Sequence, residues 1–362
     1  MRRIAILLLL TGIALPSWAA KRVVTVAQLE SALNEARGQR DSRVAETISG
    51  MELSERLTPA RLSRWQARLP GEKSRRSLEV LADLSTFLDP PAAEIPTRPT
   101  PDFAEQSRIM DRAVNYAKET LHKLPNFFAR RDTVLYEDNP SRRLEDMARI
   151  VVPYEPIHEV NKTSVTVLYR DGAEVVDAGR VKRGKYDPNA RTLTTHGVFG
   201  PILSNTLVDA GNGTVTWSRW EQGASGPEAV FHFSVPRNKS HYQVAFCCFE
   251  DNTRENREFR KMSGYHGEIA INPADGSILR LTLVADLDPA DPVGVSNIMV
   301  EYAPVEIGGR NYICPIKSVS VWVTSPEGPN ALQTLLNDVD FAQYHLFRSE
   351  AHILFGSDPV TP

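Results

Sequence analysis

From Gly264 to Val323 the chain alternates apolar and polar residues with a period of two, interrupted only by turn-forming residues, and this pattern leaves few folds open. Tyr265, Ile269 and Ile271 share one parity and His266, Glu268 and Asn272 the other, as in a strand with one buried face. Asn272 to Ser277 brings Pro273 and the Asp275-Gly276 pair, which let a chain reverse. Leu279, Leu281 and Leu283 then alternate with Arg280, Thr282 and Asp286, so an antiparallel hairpin with one wet face is predicted. A second pair of strands follows over 297–303 and 312–323, with Gly308-Gly309 at the turn. The apolar parity changes after Pro315, from Tyr312, Cys314 and Ile316 to Val319, Val321 and Val323. A bulge near Pro315 accounts for this, because one extra residue returns the apolar set to the same face.

The N-terminus has a different character. Arg2-Arg3 precedes an apolar run over 4–15 and then Pro16-Ser17-Trp18-Ala19-Ala20, with small residues at 17 and 19. This is the form of a secretory signal peptide over residues 1–20 rather than of a spanning helix, and it predicts a periplasmic or extracellular protein that is not integral to the membrane once the leader is removed. No cysteine follows the cleavage region, so lipid attachment there is not indicated. With the two leader arginines set aside, 40 basic residues face 45 acidic ones, a balance that argues against nucleic acid and against a polybasic membrane patch.

Cys247, Cys248 and Cys314 are the three cysteines. In an oxidising compartment Cys314 is a candidate to bridge one of the vicinal pair, and only one, because adjacent strand residues point to opposite faces. The alternative is three buried thiols packed as small hydrophobes. No C-x-x-C pairing favours zinc, and no metal or cofactor is implied.

Residues 21–88 read as a helical module. Thr25-Val26-Ala27-Gln28 has the form of a capping box, and Leu29, Leu33 and Ala36 continue it at helical spacing. Val44, Ile48 and Met51 mark a second helix, and Thr58-Pro59 opens a third carrying Leu62, Trp65 and Leu69. Leu78, Leu81, Leu84 and Leu88 give a fourth stripe. Five prolines in the thirteen residues 89–101 indicate an extended linker. A helix is expected over 102–122, then strands over 127–137, 164–169 and 174–178 (turning at Asp171-Gly172), 214–220, 229–235 and 241–249. The charged stretch 251–261 reads as a loop or short helix, a short helical piece is expected up to Asp209, and a final pair of strands falls within 339–355. The fold class is therefore α+β. A small helical module precedes a curved, mostly antiparallel sheet of about ten strands, an incomplete barrel wrapped around the 102–122 helix, with a tail over 357–362.

The order of LPNFFARRDTVLYED, GVFGPIL, GYHGEIAINPADGSILRL, VEYAPVEIGGRNYICPIKS and DVDFAQYHLFRSEAHILF resembles the outer-membrane lipoprotein-sorting fold of LolA, LolB and RseB over residues 102–356. The resemblance implies an incomplete barrel about a helix, presenting an apolar concavity to acyl chains or to a partner protein.

Chemical motifs are sparse. Eight histidines are scattered without an H-E-x-x-H, and there is no G-x-S-x-G elbow and no phosphate-cradling glycine loop. His232 and His241, with His266 or Glu268, form a weak metal candidate. Glu268, Asp286 and Glu301 form a weak acid and nucleophile set, and both groups are better read as ordinary sheet residues. Trp217, Phe231, Phe233, Ile269, Leu281, Val300 and Tyr302 share the apolar face, either as core under the helix or as the lining of a ligand cavity. No enzyme is indicated. The expected function is a non-catalytic binding module for lipid or lipoprotein acyl chains. The alternative is an envelope structural or sensing protein that holds protein partners through its sheet edge and helical module.

Overall fold

Arg22–Val24 (β1) lead into a helix start fixed by two reciprocal bonds. The Thr25 hydroxyl accepts from the Gln28 amide at 3.2 Å, and Gln28 Oε1 accepts from the Thr25 amide at 2.9 Å. This is the capping box the sequence predicts, and it begins α1 (Val26–Glu35). The computed structural model describes residues 21–121, 123–139, 142–143, 151–152, 154–176, 198, 201–224, 226–250, 256–324 and 332–347. The chain forms two units, Met1–Pro90 and Pro91–Pro362.

In the first unit α1 is followed by α2 (Asp41–Ser49), β2 (Met51–Leu53), α3 (Pro59–Gln66) and α4 (Glu72–Ser85). The four helices match the sequence pattern. The parallel pairing of β1 with β2 is an addition that three-residue strands do not announce by periodicity. Leu29, Ile48 and Leu78 are fully buried in one core with Val44, Trp65 and Leu81. Trp65 keeps its indole N–H satisfied by donating to Glu30 Oε1 at 3.0 Å, and Arg61 pairs with the same carboxylate at 2.9 Å.

The start of α4 is capped from another helix. Gly71 has no side chain to offer, and the Asp41 carboxylate instead accepts from the Lys73 and Ser74 amides at 3.0 and 2.9 Å. A Cβ on residue 71 would lie 2.4 Å from Asp41 Oδ2, so the glycine makes room for its own cap. Hydrogen bonds from Ser74, and the helix start they belong to, hold the Asp41 carboxyl below its ordinary range.

The second unit opens with a 3₁₀ turn over Ala92–Glu94 and α5 (Phe103–Leu121). The strands are β3 (Phe127–Asn139), β4 (Arg142–Arg143), β5 (Val151–Val152), β6 (Glu155–Arg170) and β7 (Ala173–Val176). After α6 (Pro201–Asn212) come β8 (Thr214–Gly223), β9 (Gly226–Val235), β10 (Gln243–Glu250), β11 (Asn256–Met262), β12 (Gly264–Ile271), β13 (Ile278–Asp286), β14 (Val293–Ile307), β15 (Arg310–Thr324) and β16 (Gln333–Leu346). Ten of them form one antiparallel sheet in the order β7-β6-β3-β16-β15-β14-β13-β12-β9-β8. The α+β class and the strand count follow the sequence. The sheet, however, ends on two edges and is neither closed nor strongly curled, unlike the expected incomplete barrel.

Turn chemistry sets the hairpins where the sequence placed them. Asp171 and Gly172 both take positive φ, 53° and 85°, between β6 and β7, and Gly308 and Gly309 do so at 61° and 81° between β14 and β15. The bulge near Pro315 is present. Glu301 pairs with Lys317 and Tyr302 with Pro315, leaving Ile316 as the extra residue. Two further bulges act in the same way. In β13, Ala270 pairs with Arg280 and Ile271 with Ile278, so Leu279 is extra and Ile278, not Leu279, joins the core. In β8, Trp217 pairs with Phe231 and Arg219 with Val230, so Ser218 is extra. Two other expectations change. The charged 251–261 stretch contains β11, paired antiparallel with β10. Of the expected final pair within 339–355, the first part belongs to β16, and residues 348–355 lie outside the described ones.

One face of the sheet is covered in two parts. Toward one end of the strands, α5 through Ile109 and Ala113 and α6 through Leu203 and Ala210 pack on Phe127, Tyr169, Phe231, Phe233, Ile269 and Val300. Toward the other, Val244 and Phe246 of β10 pack on Leu135, Ala285, Trp322 and Leu335. Tyr242 touches both clusters.

Candidate functional site

All seven residues singled out from the sequence fall on this covered face, as their parity requires. Phe231, Phe233, Ile269, Leu281, Val300 and Tyr302 are buried core members and Trp217 is half-buried against them. The helix lies close. A Cβ on Gly276, in the β12–β13 turn, would come within 2.5 Å of the Arg112 carbonyl in α5. Among the described residues a notch of about 30 Å³ lies on this face, lined by Tyr116, Thr120, Leu124, Tyr302, Cys314 and neighbouring apolar residues. That is room for about one water molecule, whereas small-molecule sites run to several hundred Å³. The face therefore serves as packed core.

Two polar atoms border the notch. The Tyr302 hydroxyl is buried with no hydrogen-bond partner among the described residues, and burial pushes its pKa up. Cys314 is a free, buried thiol, pushed up to about 12 by burial, which makes it a poor nucleophile. Of the two alternatives for Cys314, it takes that of a buried free thiol, and the side chains of Cys247 and Cys248 lie outside the described residues.

The opposite face is not the wet one the alternation predicts: Val230, Ala270, Met299, Val319 and Leu336 are buried on it, beside a set of charges. The Ser218 bulge turns Trp217 and Trp220 toward the core and Arg219 the other way. Arg219 grips Glu268 with two bonds of 2.6 and 2.7 Å and Glu221 with bonds of 2.9 and 2.6 Å. Arg280 closes the set on Glu221 at 3.0 and 3.1 Å. The four side chains are 9–18% exposed. Burial works to lower the Arg219 pKa, but Glu268 and Glu221 outweigh it and the net shift is upward. Two arginines and two glutamates balance each other, so the set holds strands β8, β12 and β13 together and leaves Glu268 committed to arginine.

The histidines do not converge. His232 and His266 have ring centroids 6.0 Å apart, and His266 Nδ1 bonds Asp286 at 2.7 Å. His241 lies elsewhere, bonded through Nδ1 and its own amide to the buried Asp209 of α6, which also accepts from the Tyr265 hydroxyl at 2.9 Å. This Asp209 constellation, unmarked in the sequence by any local motif, anchors the chain entering β10 to α6. Among the described residues no group of three or more His, Cys, Asp or Glu is placed to hold a metal, and no helix is long and apolar enough to cross a membrane. Glu268 and Asp286 sit in these separate partnerships, and Glu301 lies across the strand pair from Arg280 of the first set.

A further contact lies at the end strand. Trp220 Nε1 donates to the Pro99 carbonyl at 2.9 Å, and the Arg98 guanidinium stands 4.4 Å from the centroid of the Trp220 ring. The proline-rich segment thus lies across β8 from within its own unit. Compared with protein-family models, curated proteins and solved structures, the chain has no match.

Proposed function

We propose that the chain is an exported, non-catalytic docking protein of the cell envelope, whose sheet unit is a rigid platform for a protein partner. The observation that carries this reading is the filled apolar face. With about 30 Å³ left beside Tyr302, recognition has to use the outer surfaces of the platform. The sheet edge is one such surface. Among the described residues β8 pairs only with β9, and the Ser218 bulge restricts its regular outer edge to Thr214–Trp217. The signal-peptide pattern of residues 1–20 supplies the address.

A second reading keeps the likeness to the lipoprotein-sorting fold, with an acyl chain as ligand between α5 and the open sheet. The notch beside α5 favours it, since its lining is mostly apolar. Native mass spectrometry of the exported chain, with photo-crosslinking from Thr214 and Thr216 in envelope extract, separates the two. The docking reading expects the bare chain mass and a defined adduct with one protein, lost when unlabelled chain competes. One lipid copurifying per chain, with no such adduct, overturns it.

A further inference from the structure

The segment Pro96–Pro101 makes two specific contacts with the sheet unit, and together they define a chemistry. The Trp220 indole N–H finds its acceptor in the Pro99 carbonyl, and the Trp220 face receives the Arg98 guanidinium. The indole is held for this purpose. Trp217 meets it edge-on at 4.9 Å between centroids, and Phe231 backs Trp217 in turn at 5.4 Å and 90°. Trp220 is only 7% exposed, while Arg98 and Pro99 are exposed, so the segment lies over the aromatic platform without becoming core. The Arg98 amide closes a tight turn on the Pro96 carbonyl at 2.8 Å, the Pro101 carbonyl accepts from Gln106, and the Pro99 carbonyl pairs with the indole; a chain restrained by proline loses little entropy when it docks. An aromatic face with one N–H donor is suited to it, and an arginine adds attraction to the ring.

We infer that the Trp220 platform is a binding site for an arginine–proline segment that turns before the arginine, filled in cis by residues 96–101 and able to take the same chemistry from a partner protein in trans. The inference rests on the docking reading for what arrives in trans, and it names the chemistry of that partner. A short tether presents the cis segment at an effective concentration on the order of millimolar, so a partner must either exceed that or meet a chain whose own segment has been loosened.

The test uses the full chain, with and without Arg98→Ala, and a labelled ten-residue peptide of sequence EIPTRPTPDF, that of residues 94–103. Fluorescence anisotropy is expected to give about tenfold tighter apparent binding to the Arg98→Ala chain than to the unaltered one, because the internal competitor has lost its ring contact. The same peptide with alanine in place of arginine is expected to bind about tenfold more weakly, a comparison that leaves the protein's folding untouched. Trp220→Phe, which keeps an aromatic face of smaller size and removes the N–H, should weaken binding further. Absence of binding to the Arg98→Ala chain at millimolar peptide, or equal binding of the arginine and alanine peptides, overturns the inference. If the peptide binds but no envelope protein is crosslinked, the docking reading fails and the site stands. If a partner is crosslinked equally by the Trp220→Phe chain, docking stands and the site is not its route.

Discussion

Replacing Gly276 with alanine probes the contact that seats α5 on the sheet. Gly276 has φ +79°, and a Cβ there would lie 2.5 Å from the Arg112 carbonyl carbon and oxygen and 2.8 Å from the Ala113 amide nitrogen. These are backbone atoms and cannot swing aside. The left-handed conformation costs an L-residue about 1–2 kcal/mol, and forcing the methyl group into a packed contact adds about 1–3 kcal/mol, for a total of roughly 2–5 kcal/mol. Gly309 is the control, since its φ is +81° and nothing lies within 4 Å of its Cβ position. Gly309→Ala should therefore lose only the conformational part, about 1–2 kcal/mol. In scanning calorimetry, where about 1 kcal/mol moves the Tm of a domain this large by about 2–4 °C, the Gly276 variant should melt clearly below the Gly309 variant. Equal shifts for the two would refute the idea that close backbone approach, rather than turn conformation alone, fixes the glycine.

Two other outcomes follow from charged side chains, one set buried and one, Asp340, standing exposed on β16 with its carboxyl partly desolvated. Glu268→Leu leaves Arg219 buried beside a single carboxylate and should cost about 3–5 kcal/mol in urea unfolding, whereas the double change Arg219→Met with Glu268→Leu should recover part of that loss; strictly additive losses would dissolve the pairing argument. Burial first, then Asp338, raises the pKa of Asp340, so its folded form holds a proton more tightly than the unfolded chain does. Its contribution is favourable below the ordinary carboxylate range and is lost as pH rises through the folded-state pKa. Asp340→Asn should then stabilise the protein near pH 7 and lose that advantage near pH 4, and a pH-independent difference between the two chains would count against it.

Where the sequence carried a physical constraint, it was readable. The Thr25–Gln28 box, the Asp171-Gly172 and Gly308-Gly309 turns and the Pro315 bulge each follow from local stereochemistry, and each is present. The parity of Trp217, Phe231, Phe233, Ile269, Leu281, Val300 and Tyr302 correctly grouped them on one face. Parity cannot say what covers a face, and α5 and α6 arrive from distant parts of the chain. Leu279 was assigned to the core because strict alternation was assumed, although the run Ile278-Leu279-Arg280-Leu281 already holds the apolar doublet that a bulge resolves. The apolar spacing from Trp217 to Trp220 is the corresponding trace of the Ser218 bulge. β11 was hidden because its residues are mostly charged and its strand character comes from pairing with β10. The capping of α4 by Asp41 and the seating of Trp220 under Arg98 join residues 32 or more positions apart and leave no local pattern.

The apolar face of the sheet has one floor and two roofs, helical over one end of the strands and a β-ribbon over the other, meeting at Tyr242. Lifting either roof wets only its own half of the floor, because the strands beneath remain bonded to one another throughout their length. Solvent thus enters this interior room by room, with Tyr242 standing where the rooms adjoin among the described residues.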